Sequence, residues 1–390
     1  MTSRLLLAPL AVLALTVSAC GAAPESGAPQ PSAEAPSSPE TSATPTPTPT
    51  LTSACALDPE QLPLPEQVGL LFMMGKDTTT PVDESYQQVL ADNHIRSVVL
   101  LGNTEAGVDG VRQMVDQIDP EGTMLIAADQ EGGQVQRLQG PGFDTMPSAA
   151  DQATLGPDEL TSRATGWGEQ LGQAGVEMNL APVADVVPED VGTANEPVAA
   201  LERGYGSDPA AVGESASAYV AGMQAGGQLT SVKHFPGLGA VAGNTDFSAD
   251  VVDDRTTRDD PGLAPFGAAI EAGADSVMVA TAEYEQIDPG QLAAFSPVVI
   301  EEMLRGDLGY DGVVISDDMG GAAQVADVAP GDRALNFLSA GGDIVINGDP
   351  SIQQEMSDAV LAKAEQDPDF AAEIAEKVSR ISPLHEATCA

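Results

Sequence analysis

Gly312-Val313-Val314-Ile315-Ser316-Asp317-Asp318 is the stretch on which the fold turns. Its apolar, β-branched run shows no alternation with polar residues, which suits a strand buried on both faces of a parallel sheet. It then breaks into two carboxylates. Seven further segments are of the same kind, at residues 70–74, 97–101, 124–128, 178–182, 230–233, 276–280 and 343–347. Between them the pattern predicts helices over 108–118, 159–173, 209–225, 262–272, 297–305 and 333–338. Closing helices follow over 352–381, broken near Asp367-Pro368. Strands alternating with helices predict an α/β fold, and eight strands in about 330 residues predict a (β/α)₈ barrel. An open doubly wound sheet is the alternative, but the Gly-x-Gly-x-x-Gly turn of nucleotide-binding sheets is missing after the first strand.

The polar clusters fall just past strand ends, the functional face of such a barrel. Asp129-Gln130-Glu131-Gly132-Gly133-Gln134-Val135-Gln136-Arg137 follows the third strand, Lys233-His234-Phe235-Pro236-Gly237 ends the fifth, and Ser316-Asp317-Asp318-Met319 ends the seventh. Three such clusters on one rim point to a site.

The ends of the chain read differently. Arg4 followed by the apolar run 5–17 and by Val17-Ser18-Ala19-Cys20 predicts a lipoprotein signal peptide over 1–19, with Cys20 lipidated. The apolar run is too short for a comfortable bilayer span, so the expectation is a protein tethered outside the cytoplasmic membrane by its lipid. Residues 20–53 are rich in Ala, Pro, Ser and Thr. They cannot bury enough apolar surface to offset their ordering entropy, and predict a disordered linker. The folded part is expected over 54–390. Its two cysteines, Cys55 and Cys389, could form a disulfide that staples the ends of a closed barrel, the other reading being two free thiols.

The chain carries 59 acidic against 15 basic residues, a formal net charge of -44. Such a surface repels nucleic acid and anionic lipid alike, so neither is an expected partner. Scattered Asp residues without His or Cys beside them have no zinc-ligand spacing and little claim on calcium, and no metal or cofactor is expected. The chain is expected to be a monomer.

Over about 64–346 the sequence resembles glycoside hydrolase family 3, in the single-domain β-N-acetylglucosaminidase branch that trims peptidoglycan fragments. The motifs that carry the resemblance are Pro65-Glu66-Gln67-Val68-Gly69, the Asp129 to Arg137 loop, Asn179-Leu180-Ala181-Pro182-Val183-Ala184-Asp185-Val186, Glu202-Arg203-Gly204-Tyr205, the run from Lys233 to Gly239, and Gly312 to Asp318. The resemblance implies that Asp317 is the nucleophile of a retaining mechanism and that Asp129, Arg137, Arg203, Lys233 and His234 bind the sugar. Asp318 is expected to orient the loop. Asn179 and Asp185 are expected to be scaffold.

One loop departs from the family. After Lys-His-Phe-Pro-Gly-His-Gly the branch carries Asp-Ser-His, whose histidine protonates the leaving oxygen. This chain reads Lys233-His234-Phe235-Pro236-Gly237-Leu238-Gly239-Ala240-Val241-Ala242-Gly243-Asn244-Thr245-Asp246, so Asn244 stands for the Asp and Asp246 for the His. The remaining histidines, His94 and His385, lie before strand two and near the C-terminus. Two readings stand together: Asp246 is itself the general acid/base, with a pKa raised by burial or by Asp317, or the loop is catalytically dead and the barrel binds a glycan without cleaving it. A third places the chain with the β-glucosidase branch, whose acid usually comes from a second domain.

Overall fold

The computed structural model describes residues 57–59 and 61–388. Eight parallel strands form one sheet: β1 Phe72–Asp77, β2 Ser97–Leu101, β3 Leu125–Ala128, β4 Met178–Asn179, β5 Leu229–Phe235, β6 Ser276–Val279, β7 Val313–Ser316 and β8 Val345–Asn347. Their spatial order is β7-β6-β5-β4-β3-β2-β1-β8, and the circle is completed where Ile315 bridges Ile344. Ser316 makes two bonds across that seam. Its backbone N–H donates to Ile344 O at 2.9 Å, and its Oγ accepts from Ile346 N at 2.9 Å. Strand residues such as Val98, Ile126, Val277, Val314 and Val345 are buried, as runs without polar alternation require.

Helices pack around the strands: α1 Leu64–Leu70, α2 Glu84–Asp92, α3 Gly107–Ile118, α4 Ala149–Gln152, α5 Pro157–Gln173, α6 Pro209–Ala225, α7 Ala264–Glu271, α8 Pro330–Ser339, α9 Gln353–Gln366 and α10 Pro368–Ala387. Several start where sequence chemistry starts them. Proline opens α5, α6, α8 and α10, where its missing N–H costs nothing. Asp83 and Asp208 accept from Tyr86 N and Ala210 N at the first turns of α2 and α6. The expected break at Asp367-Pro368 separates α9 from α10.

Several boundaries differ from the sequence reading. Residues 70–74 were expected as strand one, but Leu70 closes α1 and β1 begins at Phe72. No helix was expected between the first two strands, where α2 lies. It is short and mostly polar, with only Tyr86 and Leu90 buried, so its apolar stripe is thin. Strand four is regular only over Met178–Asn179, short of the expected 178–182; Pro182 has no N–H to give to a ladder, but the chain still runs beside β5, with Lys233 N donating to Pro182 O at 3.0 Å and Ala184 N to Lys233 O at 2.7 Å. The helix expected over 297–305 is a π-helix, Val298–Asp307, in which residues pair five apart, as in the bond from Leu308 N to Met303 O at 3.0 Å.

Cys20, Cys55 and Cys389 lie outside the described residues, as do the signal segment and the linker. Near the two ends, Ser382 Oγ of α10 donates to Leu57 O at 3.1 Å. No helix among the described residues is long and apolar enough to cross a membrane.

Candidate active site

At the C-terminal ends of the strands lies a cleft of about 390 Å³, and Asp129, Arg137, Arg203, Lys233, His234, Asp246 and Asp317 all line it. Every residue singled out for sugar binding or catalysis is therefore brought to one place. A roomier hollow of about 490 Å³ sits at the opposite end of the barrel, beside Arg96 and Met124, but only one carboxylate, Glu66, lines it. The strand-end cleft is the one with convergent polar groups.

The Asp129 wall begins with a short antiparallel ribbon, Gln130–Gly132 against Val135–Gln136, reversed at Gly133, whose φ of 55° suits glycine. Gln130 fixes the ribbon. Its Nε2 donates to Leu138 O at 2.7 Å, and its Oε1 accepts from Leu138 N at 3.0 Å. This holds Arg137 at the rim, where its Nη1 donates to Asn103 Oδ1 at 3.1 Å. Its Nε is buried without a hydrogen-bond partner.

Behind that rim is a network of buried charges. Lys233 Nζ lies 2.5 Å from Asp129 Oδ1 and 2.6 Å from Glu131 Oε1. Arg203 reaches the same Glu131 with both Nε and Nη2, each at 2.8 Å. Its Nη1 donates to Pro197 O at 2.8 Å. Burial alone would raise the Glu131 carboxyl, but Arg203 and Lys233 overcome it and hold the group well below the usual carboxylate range. Burial likewise pulls Lys233 down, and Asp129 and Glu131 reverse it, so the ammonium stays charged. Two buried cations are thus matched by two carboxylates, as the desolvation cost of unpaired charge demands.

His234 is held by a residue expected to be scaffold only. Asp185 Oδ2 lies 2.8 Å from His234 Nδ1, and Asp185 Oδ1 accepts from His234 N and Leu238 N, each at 3.0 Å. Nδ1 is thus anchored on Asp185, and Nε2 sits 3.4 Å from Arg203 Nη2. Asn179 is scaffold as expected: it accepts from Gln130 N at 3.0 Å and donates to Gln130 O at 3.1 Å.

Asp317 leaves β7 with its N–H donating to Val279 O at 3.0 Å, and its Oδ1 accepts from Asp318 N at 2.9 Å. Asp318 also lines the cleft, and its hydrogen bonds order the loop, as expected. Its carboxylate accepts from Gly320 N and Gly348 N at 2.7 Å and from Gly321 N at 3.0 Å. A Cβ on Gly348 would come within 2.5 Å of Asp318 Oδ2, so glycine is required there. Burial raises the Asp317 carboxyl; His234 opposes the rise and the negative charge of Asp246 adds to it.

Asp246 lies opposite, on the loop after β5. Asn244, standing where the family carries an acid, accepts from Asp246 N at 2.9 Å through Oδ1, an Asx turn. The Asp246 residue is solvent-exposed at the cleft mouth, yet protein crowds its carboxyl. Lost solvation raises its pKa against the pull of Arg203, and Asp318 raises it further. His94 and His385 do not approach the cleft. His94 lines the hollow at the other end of the barrel, and His385 Nε2 lies 3.3 Å from Ser97 Oγ at the start of β2.

Residues 63–384 match the family model described as Glycosyl hydrolase family 3 N terminal domain. The chain belongs to glycoside hydrolase family 3. Its relatives include the Beta-hexosaminidase of Stenotrophomonas maltophilia (strain R551-3), 35% identical over 251 residues that span 62% of this chain and 71% of that one. Among solved structures, the Beta-N-acetylhexosaminidase of Beutenbergia cavernae DSM 12333 is 45% identical, with a TM-score of 0.81 over 84% of this chain and 99% of that one. A family 3 beta-N-acetylglucosaminidase from Paenibacillus sp. str. FPU-7 is 28% identical, with a TM-score of 0.74 over 84% of this chain and 63% of that one.

The sequence reading did not single out Glu131 or Gln324, and it gave Asp185 a scaffold role only. Two of the three were detectable: a buried Lys233 and Arg203 need a shared carboxylate, and Glu131 lies in the quoted loop. Asp185 lies in another quoted motif. Gln324, which pairs through space with Val251, leaves no local signal.

Proposed function

We propose that this family 3 glycosidase is a retaining β-N-acetylhexosaminidase that removes terminal β-linked N-acetylglucosamine, with Asp317 as nucleophile and Asp246 as acid/base. The observation that carries the reading is a pair of carboxyls with raised pKa values, set in the same cleft as the Asp129–Lys233–Glu131–Arg203 network. The network and Arg137 hold the ring hydroxyls. An Asp317 oxygen attacks the anomeric carbon as the glycosidic C–O bond breaks, and the departing oxygen takes the proton of Asp246. Water then attacks the same carbon from the vacated side, gives its proton to Asp246 and releases Asp317, with net retention. The N-acetyl preference is supported by the names of the relatives, and cell-wall (peptidoglycan) fragments fit a protein exported to the cell surface. Export itself is part of the proposal: a signal peptide over 1–19, a lipid on Cys20, and a linker that carries the barrel, a monomer, at the outer face of the membrane. A Cys55–Cys389 disulfide would close the barrel at its ends, supported by the bond between Ser382 and Leu57.

Asp246→Ala tests the acid. Substrates with poor leaving groups should slow by a factor of about 10²–10⁴, while activated aryl N-acetylglucosaminides lose little. Equal losses on both remove Asp246 from the role. A wild-type protein that binds N-acetylglucosamine but cleaves no glycoside establishes the binding-only barrel instead.

A further inference from the structure

Phe247 follows the acid and stands out on the surface. Its residue is 82% exposed, and only one other large apolar side chain among the described residues is exposed, Val252 at 38%, in the same segment. Phe247 also lines the cleft that holds Asp317 and Asp246. An exposed aromatic on a featureless surface calls for no explanation, but one at the lip of a sugar cleft does.

The loop that carries it is pinned in place. Phe247 N and Ser248 N donate to Asn244 O at 3.1 and 2.8 Å, Ala323 N donates to Asp246 O at 3.2 Å, and Gln324 N donates to Thr245 O at 3.1 Å. Gln324 also grips Val251 on both sides, accepting from its N–H at 2.8 Å and donating to its carbonyl at 3.3 Å. Residues 323 and 324 belong to the segment that follows the nucleophile. The acid loop is therefore tied to the Asp317 loop, and the ring of Phe247 is presented from a fixed base.

We propose that Phe247 is the platform for the leaving group, taking the apolar face of the sugar ring bonded to the departing oxygen. The proposal rests on the catalytic reading above in one respect, the placement of Asp246 beside that oxygen. The deep part of the cleft is filled by charged and hydrogen-bonding groups suited to the hydroxyls of the ring being cleaved, while the next ring lies toward solvent. A β-linked pyranose with equatorial substituents turns axial C–H bonds to each face, and such a face covers an aromatic ring. Phe247 thereby sets specificity: it favours a second sugar over a small or flexible leaving group.

The test uses binding, so that it does not depend on proton transfer. In full-length protein carrying Asp317→Asn, the affinities for N-acetylglucosamine and for its β-1,4-linked disaccharide are measured by titration calorimetry, with and without Phe247→Ala. Removing the platform should weaken the disaccharide about tenfold, the equivalent of about 1.4 kcal/mol, and leave the monosaccharide unchanged. Phe247→Trp should keep the disaccharide affinity. The side chain is exposed, so the melting temperature should not move. An unchanged disaccharide affinity, or an equal loss for both sugars, overturns the proposal. If the disaccharide depends on Phe247 while Asp246→Ala shows no leaving-group dependence, the platform stands and the acid assignment falls.

Discussion

On one wall of the cleft, the buried Glu131 and Lys233 and the partly buried Asp129 and Arg203 hold one another through ion pairs of 2.5–2.8 Å. On the other wall, Asp246 and Phe247 stand on a loop fixed by main-chain hydrogen bonds and by Gln324. The first wall is interlocked: Glu131 pairs with both Arg203 and Lys233, Lys233 pairs also with Asp129, and loss of the shared Glu131 carboxylate would strand two cations in a dry interior. That suits a pocket that must fix one ring against a nucleophile to within a fraction of an ångström. The second wall lies open to water, because the leaving group and later the attacking water must pass it. Rigidity comes from buried charge where the ring is held, and from backbone pairing where groups come and go.

The largest expected effect breaks the first wall. Glu131→Ala leaves Lys233 and Arg203 facing each other without their shared carboxylate, and denaturant unfolding should show a loss of about 3–5 kcal/mol. Gln324→Ala on the second wall removes two hydrogen bonds partly open to solvent, and the same measurement should show a loss of about 1 kcal/mol. Similar losses for the two variants would erase the distinction between the walls.

That distinction also explains what could be read in the sequence. The strand-end clusters were legible because each packs its chemistry beside a buried apolar run: Asp129 after β3, Lys233 and His234 at the end of β5, Asp317 after β7. The barrel followed from the same runs, while α2 and the start of β1 did not, because thin apolar stripes and continuous apolar stretches do not mark their own boundaries. Glu131 and Asp185 were in view as letters, but their roles are made across 72 and 49 residues of chain. The loop carrying Asn244, Asp246 and Phe247 was the hardest to read, since acidic residues in a polar loop look the same whether they face solvent or a cleft. Folding settles that by tying residues 323 and 324 to it.

A smaller effect sharpens the second wall through pH. Asp317 must be ionised to attack and Asp246 protonated to donate, and both pKa values are raised. The profile of kcat/KM should therefore be a bell. Activity falls on the acid side as Asp317 gains its proton and on the basic side as Asp246 loses its own, with both limbs above the ordinary Asp range and each belonging to the pair. In Asp246→Asn assayed with an activated aryl glycoside, the basic limb should disappear and the acid limb should move down. An unchanged basic limb would assign it to another group.

The smallest effect is on stability. The folded state binds the Asp317 proton more tightly than the unfolded chain does. The stability linked to this group is therefore complete below the unfolded value of about 3.9 and is lost as pH rises through the raised folded value. At neutral pH the ionised Asp317 is a burden, and Asp317→Asn should raise the melting temperature by about 2 °C. That gain should vanish in acid. A variant less stable than wild type at pH 7 would contradict the linkage.

The central claim is that Asp317 itself bonds to the sugar. A fluorinated N-acetylglucosaminyl substrate that loads the enzyme faster than it is hydrolysed should leave one sugar per chain, and peptide mass spectrometry should locate it on Asp317. Loading of Asp318 or Asp246, or steady turnover with no covalent adduct at any time, would contradict the account.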